Sequence, residues 1–237
     1  MMVGMAIRPV SVVSPAGEDV VARLRATVDA LEGRGRQRVY PVAGALASLL
    51  PDGGLRAGAA YGVPAGALLL AMLATPSQDG AWCGVVGMPE LGAEAAALAG
   101  VALDRLVLVP QPGSRWLAVT AALIDVLPVV ALRPSGTVEQ ADAAKLAGRM
   151  RDKDAVLLVD GVWPGAEASL RLDEPRWSGV GDGWGYLAGR EVTVRAASKR
   201  YATERSARVL LPGADGALQA ADDKERGAMP VELMRAV

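Results

Sequence analysis

Apolar positions follow two different spacings along this chain. Residues 18–32, EDVVARLRATVDALE, bring Val20, Val21, Leu24, Val28 and Leu31 onto one stripe at helical spacing, with Gly33 as the stop. An arginine-rich linker, GRGRQR, comes next. From residue 58 the pattern becomes short runs that are apolar on both faces: GAAYGV, WCGVVGM, RLVLVP, LPVVALRP and AVLLVDGVW. Alanine-rich segments of helical length separate them. Such runs predict strands buried on both sides of a mainly parallel sheet, and their alternation with helices predicts an α/β layer fold with right-handed crossovers.

The pattern changes at Ala168. ASLRLDEPRW and GREVTVRAASKRY alternate apolar and polar residues around a glycine-rich stretch, SGVGDGWG, which predicts an antiparallel extension with one wet face. ARVLLPG adds one more short strand. After Pro212 the chain has little to bury, so a mobile tail is expected, ending in a short helix over PVELMRAV. The expected organisation is an N-terminal segment over residues 1–39, a core over 40–211 and a tail over 212–237.

Composition narrows the chemistry. The chain has 237 residues, no His and one Cys, with a formal net charge of −1. Lacking histidine, it lacks the commonest general base and transition-metal ligand at neutral pH; a lone Cys83 excludes a zinc site and an intrachain disulfide. Cys83 lies in an apolar run and reads as a buried small hydrophobe. No signal peptide and no run long enough to span a bilayer is visible, so a cytoplasmic protein with no membrane contact is expected. The near-neutral charge argues against attraction of the whole surface to nucleic acid.

YGVPAGALLL, starting at Tyr61, sits where a nucleotide-binding protein carries its phosphate loop. Such a loop needs glycines whose neighbouring N–H groups meet phosphate, a lysine, and a Ser or Thr on magnesium. Here Gly62 and Gly66 remain, only three residues separate them, and Ala67 and Leu68 stand where the cation and the hydroxyl belong. The degenerate loop predicts no nucleotide cofactor, no metal and no catalytic residue. VLLVDGVW, ending its strand at Asp160, looks like a magnesium-binding strand, but a turn or capping role is the plainer reading. Counted from the loop, the strand that would hold the magnesium aspartate is LPVVALRP, which ends in Arg133.

Taken in order, these segments resemble the RecA fold from about residue 40 to 205, and within it the ImuA family of recombinase-like accessory proteins in mutagenic DNA repair. LASLLPDGGLRAGAAYGV resembles the helix, Gly-Gly-Leu turn and strand that lead into a RecA loop, and LAGVALDRLVLVPQP resembles the helix, turn and strand that follow it. ASLRLDEPRW and VTVRAASKRY are similar to the later strands, and SRWLAVTAALI to a tryptophan-led helix of ImuA. The departures run together: the position of the RecA catalytic glutamate falls at Met88, with Glu90 out of register, and only PGAE remains where RecA has a long DNA-binding loop.

The resemblance implies a non-catalytic adaptor in DNA-damage-induced translesion synthesis, associated with the nucleoid on damage. Its implied partner is an ImuB-like homologue of Y-family polymerases, and through it an error-prone replicative-type polymerase and the sliding clamp. By analogy with recombinase filaments, the docking face is expected on RLVLVP and the helices beside it, with Leu98, Leu106, Leu108, Trp116 and Ala121 as contacts. Core packing is the alternative for the three leucines. The basic set Arg195, Lys199, Arg200 and Arg205 is a candidate for weak contact with DNA, with a solvated strand face as its alternative because Glu191 and Glu204 interleave it. Two rival readings remain open: a residual ATPase completed by a partner, and a cell-division inhibitor of the SulA type that binds the division tubulin.

Overall fold

In the computed structural model, residues 38–181, 184–213 and 215–221 are described. The expected helix over 18–32, most of the arginine-rich linker and the expected terminal helix lie outside them. The described residues form an α/β fold whose large mixed sheet is mostly parallel at one end and antiparallel at the other.

A small antiparallel pair opens the fold, β1 (Val39–Pro41) on β2 (Gly54–Arg56), with helix α1 (Gly44–Ala47) between them. The parallel half then alternates strand and helix: β3 (Ala60–Gly62), α2 (Ala67–Gln78), β4 (Cys83–Val86), α3 (Ala93–Leu98), β5 (Leu106–Val109), α4 (Trp116–Ile124), β6 (Val129–Leu132), α5 (Gln140–Lys153) and β7 (Val156–Val159). The antiparallel half is a long hairpin, β8 (Ala168–Gly181) and β9 (Trp184–Ala197), followed by β10 (Arg205–Leu210) and β11 (Gln219–Ala220). Across the sheet the order is β11-β10-β9-β8-β3-β7-β6-β4-β5. Within the sheet the two halves meet in a short parallel pairing of β3 with β8, Tyr61↔Ala168 and Gly62↔Ser169.

Strand alternation sends successive side chains into two cores. Val129, Ala131, Val156 and Leu158 pack with Leu68, Leu69, Met72 and Leu73 of α2 on one face. Their neighbours Val130, Leu132, Leu157 and Val159 pack with Trp116, Ile124, Leu146 and Met150 on the other. β6 and β7 are buried along their whole length, which is why they read as unbroken apolar runs. α2 is buried nearly all round, so it shows no polar stripe.

Two expectations change at the C-terminal end. The glycine-rich stretch is largely strand: β8 and β9 extend to Gly181 and Trp184, with register shifts between Asp173 and Arg176 and between Ser178 and Val180. Extra residues at these bulges bend the hairpin without ending it. Past Pro212, where a mobile tail is expected, the backbone turns with Gly213 N–H on the Ala217 carbonyl at 2.8 Å, and β11 then pairs with Val209 and Leu210. Backbone pairing to an existing strand edge needs no apolar side chain, so hydropathy carries no signal for it.

Candidate functional site

The carboxyl ends of the parallel strands are set level by a ladder of backbone hydrogen bonds. Gly87 N–H donates to Val109 at 3.0 Å, Arg133 N–H to Val86 at 2.9 Å, Asp160 N–H to Leu132 at 2.9 Å and Val63 N–H to Val159 at 2.8 Å. The residues just beyond β3, β4, β6 and β7 therefore share one rim, the usual place for ligands in such sheets. Gly87 makes the tightest approach: its φ is +79°, and a Cβ there would come within 2.4 Å of the Arg133 carbonyl oxygen.

At this rim the loop meets an internal carboxylate. Ala65 N–H donates to Asp160 Oδ1 at 3.0 Å, and Arg133 Nε donates to Asp160 Oδ2 at 2.6 Å. The same guanidinium also donates to Glu90. The hydrogen bond to Asp160 pushes the Arg133 pKa up; burial opposes the rise, and the hydrogen bond to Glu90 adds to it. The Glu90 carboxyl is held below the ordinary carboxylate value by a hydrogen bond from its own backbone N–H and by Arg133. Glu90, Arg133 and Asp160 together carry one net negative charge beside the loop.

The two loop glycines have different jobs. Gly66 precedes α2 with φ +91° and open space where a Cβ would project, so it is there for backbone conformation. Gly62 is there for packing, since a Cβ would meet Ser169 Oγ at 3.1 Å and the Gly161 carbonyl at 3.4 Å. Ala67 and Leu68 begin α2, and Leu68 is fully buried. Met88 is buried as well. Burial pushes the Cys83 thiol up to about 12, which keeps it protonated and inert at neutral pH.

Beside the loop lies a cavity of about 710 Å³, walled by apolar groups of the α2 start, Met88, Leu91 and α3, with Pro212, Gly213, Asp215 and Gly216 along another side. Gly216 has φ +87° and packs so closely that a Cβ would stand 2.9 Å from Leu98 Cβ. The sequence reading missed this wall entirely. Its one local signal is the Asp-Gly pair at 215–216, a turn former.

The five expected contacts divide between the two faces of the sheet. Leu106 packs against the α2 core and Leu108 shares its side of β5, 39% exposed; Leu98, on α3, is 57% exposed. Trp116 and Ala121 belong to the opposite core, and Trp116 is only 9% exposed. An indole buried in the same core cluster as Ile124, Leu132 and Leu146 helps hold α4 against the sheet and offers little surface to a partner. Of the five, only Leu106 and Leu108 lie on β5, the edge strand, whose outer side pairs with no strand among the described residues.

The basic set is mostly spoken for. Arg195 pairs with Asp173 at 2.9 Å, Arg200 with Asp52 at 2.7 Å and Glu167 at 3.1 Å, and Arg205 donates to the Ser48 carbonyl and stacks on Tyr201. Lys199 lies beyond β9 in the same turn as Arg200.

Fold and site together define an α/β protein with a mixed sheet, a loop-and-helix start at its carboxyl rim, and a carboxylate of its own against that loop. Residues 48–165 match the family model described as the MT3502 N-terminal domain. The chain is also 40% identical over 113 residues to the uncharacterized protein Rv3395c of Mycobacterium tuberculosis (strain ATCC 25618 / H37Rv), covering 46% of this chain and 55% of that protein. It thus spans about half the length of this relative. The matched family region contains the loop, Glu90, Arg133, Asp160 and all five expected contacts, and stops short of the antiparallel half. No helix among the described residues is long and apolar enough to cross a membrane.

Proposed function

We propose that this chain is a RecA-like adaptor of the ImuA type, acting by contact in damage-induced translesion synthesis. It works in the cytoplasm, at the nucleoid after damage. One observation carries the reading: the loop N–H that would face phosphate is occupied by Asp160, which is itself held by Arg133. A triphosphate would have to displace an internal ion pair and enter a site of its own charge sign, with no lysine to repay the cost. An α/β sheet whose parallel strands lead into an antiparallel extension is the architecture the resemblance implies, and Arg133 ends the strand where the magnesium aspartate is expected.

Docking takes place on the β5 edge, with Leu98 and Leu108 as the exposed apolar contacts and Trp116 and Ala121 shaping the helix behind. An added strand gains backbone hydrogen bonds along the edge, and the leucines supply specificity. The partner is an ImuB-like polymerase homologue that links to the replicative-type polymerase and the clamp. A pull-down with that homologue tests the reading. Wild type retains it, while Leu98→Asp and Leu108→Asp, both at exposed positions, lose it with unfolding midpoints unchanged. Retention by both variants rejects the face; recovery of the division tubulin in its place rejects the adaptor. Calorimetric titration with magnesium and ATP gives no binding heat.

A further inference from the structure

We propose that the 710 Å³ cavity beside the loop is a second docking site, which takes a large apolar side chain of a protein partner flanked by an arginine or lysine. This goes beyond the role of the β5 edge, with which the cavity shares Leu98, and holds whichever protein occupies that edge. Three observations lead to it.

The cavity is large enough for one or two side chains, and its walls are almost wholly apolar: Leu70, Met88, Leu91, Ala95, Leu98 and Pro212 are among them. Leu98 is over half exposed at its edge among the described residues, although Gly216 lies against its Cβ, and such exposure is unfavourable for a leucine. Next, the charges are all of one sign. Glu90 and Asp215 are the charged residues of the lining, and no basic residue contributes to it among the described residues. Arg133 answers Glu90, but it is shared with Asp160, so the rim keeps a net negative charge. Asp215 is fixed by accepting the Ala217 N–H at 3.1 Å on Oδ1, and its second oxygen has no partner among the described residues. The third observation excludes the obvious alternative: a phosphate-bearing ligand meets carboxylates on both sides of the cavity and finds Ala65 N–H already bonded. Charge complementarity therefore selects a cation, and the walls select an apolar group beside it. A peptide with an apolar anchor near an arginine satisfies both.

The side lined by Pro212, Gly213, Asp215 and Gly216 adds a structural reason. Gly216 lies against Leu98 as only a glycine can, so residues of the antiparallel half line a cavity begun by the parallel half. A site shaped by both halves is present only in the folded chain.

Selection from a random peptide library of about twelve residues, with the full chain immobilised, tests the proposal. Enriched sequences carry Leu, Met, Phe or Trp within about four residues of Arg or Lys. Ala95→Trp, which fills the cavity from an exposed position on α3, weakens a selected peptide at least tenfold. Glu90→Gln and Asp215→Asn each weaken it about twofold to fivefold and flatten its salt dependence. Gly92→Trp, built where a Cβ meets open space, repeats the block should Ala95→Trp fail to fold. The proposal is overturned by no enrichment over an unrelated protein, by enrichment of acidic sequences, or by binding that survives both tryptophan variants.

Discussion

Two arginine-centred clusters in this molecule look alike on paper and differ in what they touch. Arg133 joins Glu90 and Asp160 at the carboxyl rim of the parallel strands. Arg200 joins Asp52 and Glu167, and Arg56 shares both of those carboxylates, at 3.8 Å and 2.5 Å. The second cluster ties the turn after α1 to the ends of β8 and β9 and covers Tyr61, whose hydroxyl accepts the Arg56 N–H at 2.9 Å. The first cluster reaches a loop N–H. Identical chemistry thus stitches the fold in one place and occupies a would-be ligand site in the other; the difference lies in which backbone stands next to the carboxylate.

Gly87→Ala is expected to have the largest effect on this comparison. The new Cβ would collide with the Arg133 carbonyl and sit at positive φ, costing about 3 kcal/mol in denaturant unfolding and displacing the first cluster alone. An equal loss for Gly66→Ala, where there is open space, would show that backbone strain and not the collision is responsible. Asp160→Ala comes next. It strands the Ala65 N–H and removes one partner of Arg133, a loss of about 1–3 kcal/mol, and it raises affinity for inorganic phosphate if Asp160 is what fills the loop. Unchanged phosphate binding in that variant would break the distinction between the clusters.

The third test belongs to the second cluster. Burial, outweighing the hydrogen bond from Arg56, pushes the Tyr61 hydroxyl from 10.0 up to about 12. A raised folded-state value means that its contribution to stability is complete below pH 10 and is lost as the pH climbs from 10 towards 12. Unfolding midpoints measured across that window fall in wild type and fall less in Tyr61→Phe. Arg200→Ala has the smallest effect. Its side chain is half exposed, so solvent and salt screen its pairs, and the unfolding midpoint shifts less than in Asp160→Ala and by less still at high salt.

Legibility followed physical cause. β4, β6 and β7 were plain in the sequence because burial on both faces demands unbroken apolar runs, and ASLRLDEPRW declared itself by alternation. The loop's missing lysine and hydroxyl were equally plain, since they are a matter of residue identity. Arg133 and Asp160 could each be placed at a strand end, but not in contact, because they are 27 residues apart and meet only when β6 and β7 lie side by side. The burial of Trp116 was hidden for a related reason: an aromatic residue at the start of a helix looks the same in sequence whether it faces a core or a partner.

By itself the sequence determined the order of strands and helices, the two-sided burial of the central strands and the chemistry the loop lacks, all of which depend on local pattern and residue type. Tertiary structure alone decided that Asp160 would take up the loop N–H, that Pro212, Gly213, Asp215 and Gly216 would line a cavity beside α3, and that the expected contacts would divide between the two faces of the sheet. Each of those joins residues far apart in the chain, and such meetings are fixed by how the sheet orders its strands.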